Sequence, residues 1–303
     1  MNEKWLKWLV LAGLALAVVF TPILLSAQTK MLQVKGSDTM INLVQILAEE
    51  FMAKNPKMPI AVLGGGSGTG ITALINGTCD IADSSRDWKA KELDLAFEKG
   101  VKPTFFAVAV DGLSIIVNEK NPLAQLTMEQ VGAIYRGDVK NWKGVGGPEM
   151  KISLYGRQSN SGTYTFLMEH VLNNKPYSTD VKEMNGNAQI IEGVLADEAA
   201  IGYVGVGYIV DKATGKPLQG LKILNINKAV NATAYSPLDK AAVDSGSYPI
   251  SRPLWMASNG TPKTAAAAFI RFTIGSEGQT IVEREGFYTV GAKLQEQNQK
   301  NLK

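Results

Sequence analysis

The stretch IAVLGGGSGTGITALI, residues 60–75, combines a short apolar run, a glycine-rich turn and an apolar helical pattern. Leu74 and Ile75 follow Ile71 at spacings of three and four residues, which places all three on one helix face. A β-like run that passes through a turn into a helix is the repeating unit of an α/β protein. The stretch therefore predicts a strand, a turn and a helix in that order.

The neighbouring segments repeat this unit on both sides. Upstream, LQVK (residues 32–35) is followed by GSDT (36–39) and then by apolar residues at helical spacing as far as Phe51. Downstream, residues 79–82 lead into DSSRD (83–87) and a further helical segment. Three such units in succession predict a doubly wound, mostly parallel sheet. Ligands of these sheets bind beyond the carboxyl ends of the strands.

The turns that follow these strands are rich in Ser, Thr and Gly. The start of a helix presents unpaired N–H groups and about half a positive charge, so it attracts anions. Glycine lets the backbone approach a ligand, and hydroxyl groups add donors. Ser37 or Asp38 is expected to cap the first helix. A single turn of this kind is ordinary helix capping, but the repetition favours an anion site.

A fourth turn of the same kind, RQSNSGT, spans residues 157–163 and precedes another apolar helical stripe. Arg157 opens it, and a guanidinium matches two oxygens of a tetrahedral anion and stays charged. The alternative for Arg157 is a salt bridge on the surface. Beside Ser161, Gly162 and Thr163, we predict that Arg157 binds an oxyanion.

Composition argues against several other classes of protein. The chain has 303 residues and a net charge of +3, too small for a strong nucleic-acid footprint. Its one cysteine, Cys79, and one histidine, His170, exclude a multi-cysteine zinc site and a multi-histidine metal centre. The glycine-rich turn lacks the Lys-Ser/Thr of a P-loop. We therefore expect no metal and no cofactor.

Residues 1–27, MNEKWLKWLVLAGLALAVVFTPILLSA, follow the pattern of an export signal. Lys4 and Lys7 give a basic start, an apolar stretch follows, and Ser26-Ala27 offers a small-residue cleavage site. The apolar stretch is long for a signal, so an uncleaved membrane anchor is the alternative. The sequence thus predicts a periplasmic or extracytoplasmic protein.

The chain resembles the solute-binding proteins of phosphate-specific ABC transporters over nearly all of the region after residue 27. The motifs that match occur in the family's order: GSDTM (36–40), GGGSGTGI (64–71), DIADSSR (80–86), LTMEQVGAIYRGDVKNW (126–142), RQSNSGT (157–163), IGYVGVGYI (201–209), YPISRPLWM (248–256) and EGQTIVEREGFYTV (277–290).

The resemblance implies a two-lobed type II periplasmic-binding-protein fold that closes on one dehydrated phosphate. Lobe I would comprise residues 28–110 and 246–303, and lobe II residues 111–245, with a hinge near Gly112. It also implies a monomer that is not an enzyme, has no cofactor and binds no nucleic acid. Its partners would be inorganic phosphate and the membrane permease and ATPase of the transporter.

The family's phosphate contacts fall on eight positions of this chain: Thr39, Met40 (through its backbone), Ser67, Ser85, Arg157, Ser161, Gly162 and Thr163. Where well-known members carry an Asp that accepts the phosphate proton, this chain has Ser85, followed by Arg86. Asp38, Asp83 and Asp87 are the nearby carboxylates that remain for this role.

The identity of that carboxylate decides how phosphate is told apart from sulfate. Phosphate near neutral pH keeps a proton that a buried carboxylate can accept, whereas sulfate would leave the carboxylate charge unpaired. A binding protein for sulfate or another tetrahedral oxyanion is therefore the first alternative. An exported phosphatase is the second, although His170 is the one histidine available for a Ser-His-Asp triad. An adhesive or structural role is a third, but it leaves the four turns unexplained.

Overall fold

The computed structural model of the chain describes residues 30–303. The predicted export signal, residues 1–27, lies outside these residues. Within them, no helix is both long enough and apolar enough to cross a membrane.

The strands of this region are short, and most belong to one of two five-stranded sheets. They are β1 (Leu32–Gly36), β2 (Ile60–Leu63), β3 (Ile81–Ser84), β4 (Pro103–Gly112), β5 (Ser114–Asn118), β6 (Gln125–Thr127), β7 (Ser153–Arg157), β8 (Lys182–Met184), β9 (Ala200–Val204), β10 (Leu221–Ile223), β11 (Asn225–Asn227) and β12 (Ser251–Asn259).

The helices lie between or after these strands. They are α1 (Ile41–Lys54), α2 (Ser67–Ile75), α3 (Ala90–Glu98), α4 (Met128–Arg136), α5 (Gly162–His170), α6 (Asn187–Ala196), α7 (Lys240–Asp244), α8 (Thr264–Ile274), α9 (Ser276–Arg284) and α10 (Ala292–Asn301), with 3₁₀ turns at Trp142–Val145 and Val206–Tyr208.

The first sheet has the strand order β2-β1-β3-β12-β4. Strand β1 pairs in parallel with both β2 and β3, whereas β12 pairs antiparallel with β3 and β4. The units β1–α1, β2–α2 and β3–α3 are the three units that the sequence predicts. Because their strands are parallel, the turns after β1, β2 and β3 meet at one edge of this sheet.

The second sheet has the strand order β10-β5-β9-β7-β8. Strand β7 is parallel to β8 and β9, and β5 is antiparallel to β9 and β10. The chain passes from the first sheet to the second between Gly112, the last residue of β4, and Ser114, the first residue of β5. Two helix-covered sheets joined in this way confirm the predicted α/β fold class.

Burial of apolar side chains fixes the helices on the sheets. Helix α1 buries Leu43, Val44, Leu47 and Phe51 against the first sheet, the same face that the spacing predicts. Each such side chain contributes about 1.5–3 kcal/mol when it leaves water. The rings of Phe51 and Phe269 on α8 meet edge to face at 5.5 Å. This packing holds the turn before α1 in place.

Candidate functional site

Hydroxyl side chains that follow strands of the first sheet lie next to a hydroxyl side chain that follows a strand of the second sheet. Thr39, in the turn after β1, lies with its Oγ1 2.9 Å from the Oγ1 of Thr163 on α5. The N–H of Ser85 donates to Ser67 Oγ at 3.1 Å, and the two serine hydroxyls are 3.4 Å apart. All four side chains, which together form the hydroxyl cluster, are buried. The turns that the sequence singles out therefore converge on one place.

Gly162 packs directly against the serine pair. A Cβ atom at this position would lie 2.2 Å from Ser67 Oγ and 2.6 Å from Ser85 Oγ, closer than side-chain atoms approach one another. Glycine thus allows the first turn of α5 to touch the turns of the first sheet. The N–H groups at the start of α5 are brought to the same place as the hydroxyls.

Ser161 is the N-cap residue of α5, in the turn from which the sequence predicts that this helix starts. Its Oγ accepts the N–H groups of Thr163 at 3.2 Å and Tyr164 at 3.4 Å. Because that oxygen is already an acceptor twice, its own proton remains available to an acceptor nearby. Ser161 is buried beside the hydroxyl cluster.

The prediction that Ser37 or Asp38 caps α1 is wrong. The residue at the N-cap is Met40, and no side chain caps this helix. The N–H of Met40 donates to the carbonyl of Ser37 at 3.0 Å, so the backbone donor expected to face a ligand is used within the turn here. Asp38 instead accepts the N–H of Gly65 through Oδ1 at 2.7 Å.

Arg157 is a buried residue and not a surface one, with 2% of its side chain exposed. Its Nη2 donates to Asp38 Oδ2 at 2.5 Å, which ties the end of β7 to the turn after β1. The guanidinium also donates to the carbonyls of Met184 at 3.1 Å and Asn185 at 2.8 Å. These bonds hold the positive charge beside the hydroxyl cluster. The surface salt bridge considered for Arg157 is excluded.

Arg252 and Asp111 contact the same group of side chains, although neither belongs to the residues predicted to bind the ligand. Arg252 Nη2 donates to Thr163 Oγ1 and to Asp111 Oδ2, both at 2.9 Å. Burial lowers the pKa of the Arg252 guanidinium, while the Asp111 carboxylate opposes that shift. The signals available were a charged residue inside the apolar run of β4 and an arginine in the motif YPISRPLWM.

The three candidate carboxylates occupy different surroundings. Asp87 is exposed and accepts the indole N–H of Trp255 at 3.0 Å. Asp83 lies within β3, where burial raises its pKa well above the ordinary value and its Oδ1 has no hydrogen-bond partner. Asp38 is the candidate that contacts a predicted site residue, since it pairs with Arg157.

Arg86, the residue after Ser85, is turned toward α3. It donates from Nη1 and Nη2 to the two carboxylate oxygens of Glu92, at 2.8 and 2.7 Å. Burial alone would raise the pKa of Glu92, but hydrogen bonds from Arg86 and from the Lys89 backbone lower it overall. The pair fixes the segment that carries Ser85.

The histidine and the cysteine, His170 and Cys79, lie outside the hydroxyl cluster. His170 is exposed, stacks on Phe166 at 4.1 Å between ring centroids, and contacts the Phe166 carbonyl through Nδ1 at 3.0 Å. Burial raises the pKa of the Cys79 thiol to about 12. Neither residue is placed to react with a ligand beside Thr163. Across residues 30–303, no three His, Cys, Asp or Glu side chains are grouped so that they could hold a metal ion.

Comparison with protein families shows a match of residues 25–277 to the PBP superfamily domain. A phosphate-binding protein PstS of Pseudomonas aeruginosa PAO1 is 33% identical over 285 residues, covering 88% of this chain and 85% of the relative. The phosphate-binding protein PstS of Borreliella burgdorferi B31 is 30% identical over 266 residues, covering 85% of this chain and 89% of the relative.

Solved structures give the same picture. A Clostridium perfringens protein, described as a phosphate ABC transporter substrate-binding protein with bound phosphate, superposes with a TM-score of 0.74 at 29% identity. An ABC-type phosphate transport receptor from Vibrio cholerae superposes with a TM-score of 0.68 at 26% identity. In both comparisons 86% of this chain and 100% of the other chain are covered.

Proposed function

This chain belongs to the PBP superfamily, and from that premise we propose that it binds inorganic phosphate between its two sheets and delivers it to an ABC transporter. The observation that carries the proposal is the meeting of Thr39 and Ser67, from the first sheet, with Arg157 and Thr163, from the second. A dehydrated tetrahedral anion accepts hydrogen bonds from buried hydroxyl, N–H and guanidinium donors.

The proposed ligand contacts come from both sides of this meeting point. They are Thr39, Ser67, Ser85, Arg157, Ser161, Gly162 and Thr163, and Met40 would join them once its N–H leaves the Ser37 carbonyl. We take residues 28–110 and 246–303 as lobe I and residues 111–245 as lobe II, a division supported by the strands of the two sheets. Ligand binding would then require the lobes to approach each other.

The surroundings and partners of the protein follow from the same proposal. Residues 1–27 act as a cleaved export signal, so the protein works in the periplasm or another extracytoplasmic space. It acts as a monomer that binds no nucleic acid. A membrane permease and a cytoplasmic ATPase receive the phosphate, and the protein is a receptor and not an enzyme.

Asp38 is the carboxylate that we assign to the phosphate proton. Both of its oxygens accept hydrogen bonds, from Gly65 and from Arg157, yet a carboxylate has about four acceptor positions in all. A free position beside the anion accepts a proton from phosphate and repels sulfate. This favours phosphate over sulfate, the alternative anion.

Titration calorimetry on protein from which bound anions have been removed by unfolding and refolding tests the proposal. We expect one phosphate per chain with a dissociation constant of about 1 μM or below, which corresponds to about −8 kcal/mol. Sulfate should compete only weakly, and phosphate esters should not be turned over. Folded protein that binds no phosphate below ~1 mM, or about −4 kcal/mol, would overturn the proposal.

A further inference from the structure

Arg252 spans the distance between the two sheets. It lies on β12 of the first sheet, but its Nη2 donates to the Oγ1 of Thr163 on α5, at 2.9 Å. A guanidinium has donors and no acceptor, so Thr163 Oγ1 must be the acceptor of this hydrogen bond. Arg252 is 3% exposed and Thr163 is fully buried, so water does not compete for either group.

The hydrogen bond from Arg252 affects the next contact in the cluster. Thr163 Oγ1 also lies 2.9 Å from Thr39 Oγ1, where either hydroxyl can donate. A hydroxyl that accepts from a cation becomes a stronger donor, because hydrogen bonds in a chain polarise one another. Thr163 is therefore favoured as the donor to Thr39. The proton of Thr39 is then left free to point at an anion.

Asp111 holds the guanidinium in this orientation. Its Oδ2 accepts from both Nε and Nη2 of Arg252, at 3.1 and 2.9 Å, and its Oδ1 accepts the N–H of Val206 at 2.8 Å. Gly205 brings the pair close to Thr39, since a Cβ there would lie 2.9 Å from Thr39 Cγ2 and 3.2 Å from Asp111 Oδ1. The ion pair and the hydroxyl chain are thus parts of one rigid arrangement.

We propose that Arg252 is a positioning residue of the anion site, which acts through Thr163 to make Thr39 a hydrogen-bond donor toward the ligand. The inference rests on the proposed function, because it concerns how the same site binds phosphate. The chain of donation runs from Arg252 to Thr163, from Thr163 to Thr39, and from Thr39 to the anion. Arg252 itself need not touch the ligand.

A double-mutant cycle tests whether Arg252 acts on Thr39 without contacting it. Removal of Arg252 alone would leave Asp111 buried and unpaired, so D111N/R252Q is used, which keeps the net charge unchanged. Calorimetry with inorganic phosphate is carried out on four proteins: wild type, T39V, D111N/R252Q and D111N/R252Q/T39V.

In the wild type we expect T39V to weaken binding roughly tenfold or more, as for loss of a hydrogen bond to a charged group. In the D111N/R252Q background the same change should cost less than about threefold, because the hydroxyl is no longer oriented.

A matched pair on the surface provides the control. Arg284 donates to Glu50 at 2.7 Å with half of its side chain exposed, so E50Q/R284Q removes an ion pair far more exposed than Arg252–Asp111. T39V should keep its full effect in the E50Q/R284Q background. If thermal unfolding shows that D111N/R252Q does not fold, R252K replaces it, since lysine keeps the charge without the planar fork. T39V should then lose part of its effect in R252K.

The outcomes separate the two claims. Equal losses from T39V in the wild type and in the folded Arg252 variant would overturn the positioning role while leaving phosphate binding intact. Wild-type protein that binds no phosphate would overturn the proposed function, and the positioning role with it. The positioning role is supported if T39V weakens phosphate binding less in the Arg252 variant than in the wild type, but equally in E50Q/R284Q and in the wild type.

Discussion

Arg157 and Asp38 form an ion pair at 2.5 Å that joins the last residue of β7 to the turn after β1. The two residues are 119 positions apart in the chain, and the strands that carry or precede them, β7 and β1, belong to different sheets. The Arg157 side chain is 2% exposed and that of Asp38 is 16% exposed, so the pair is mostly shielded from solvent. This bond is one of several that join the two sheets, and it places a positive charge at the proposed ligand site.

Arg157→Ala should weaken phosphate binding by about 2–5 kcal/mol, because a desolvated charged partner of the anion is lost. Lys99→Ala is the control, since Lys99 is exposed at the C-terminal end of α3, opposite the end that follows the turn with Ser85. Calorimetry measures both. A loss below about 0.5 kcal/mol for Arg157→Ala is the size expected of a surface residue and would show that the site is misplaced.

Asp38→Asn should narrow the difference in affinity between phosphate and sulfate. The amide oxygen can still accept from Gly65, but the negative charge that repels sulfate is removed. We expect phosphate binding to weaken and sulfate binding to strengthen, as measured by competition calorimetry. Asp87→Asn, at an exposed carboxylate, should change neither affinity. An unchanged ratio in Asp38→Asn would assign the phosphate proton to another group.

The parts of the molecule that the sequence predicts are those set by neighbours along the chain. The spacing around Ile71 predicts α2, and the Ser-Gly-Thr turn predicts that α5 begins near Ser161. By contrast, Asp111 and Arg252 pair across 141 positions, a contact that no local pattern encodes. The same reason explains the wrong cap at Asp38, because a distant arginine and Gly65 compete successfully for its carboxylate.

Gly162→Ala should lower phosphate affinity roughly tenfold or more. The added methyl group would lie 2.2 Å from Ser67 Oγ, so either the serine side chains or α5 must shift, at about 1–3 kcal/mol for overpacking. Gly186→Ala is the matched control, because nothing lies within 4 Å of a Cβ at that position. Calorimetry and thermal unfolding of both variants separate loss of binding from loss of folding. Equal affinity in Gly162→Ala and the wild type would mean that the contact yields without disturbing the site.

The buried Asp83 carboxyl should make the free energy of unfolding depend on pH. Burial raises the pKa of this carboxyl well above its usual value of about 3.9, so the folded state holds a proton that the unfolded state releases. Stability from this group therefore falls as pH rises above about 4. Asp83→Asn should gain stability over the wild type between pH 4 and 7 in urea unfolding without phosphate. Asp87→Asn should show no such trend, and a pH-independent difference for Asp83→Asn would contradict the prediction.

The two lobes should close around the anion when phosphate binds. Thr39 and Ser67 follow strands of the first sheet. Arg157 ends β7 of the second sheet, and Thr163 lies on the helix after it, so a small anion reaches both sets only when the lobes are together. Phosphate should stabilise the closed state by its greater affinity for that state. Small-angle scattering should then give a smaller radius of gyration with phosphate than without it.

Two variants make the closure experiment decisive. Arg157→Ala removes the bond to Asp38 as well as a ligand contact, so it should stay open at phosphate concentrations that close the wild type. Lys99→Ala should close like the wild type, because the Lys99 side chain is exposed and donates to Asn76 within the first lobe. Closure would give a permease a difference in shape by which to tell loaded receptor from empty receptor. Identical scattering of free and phosphate-saturated wild type would leave a rigid anion-binding protein, and the transport proposal would lose the movement on which delivery depends.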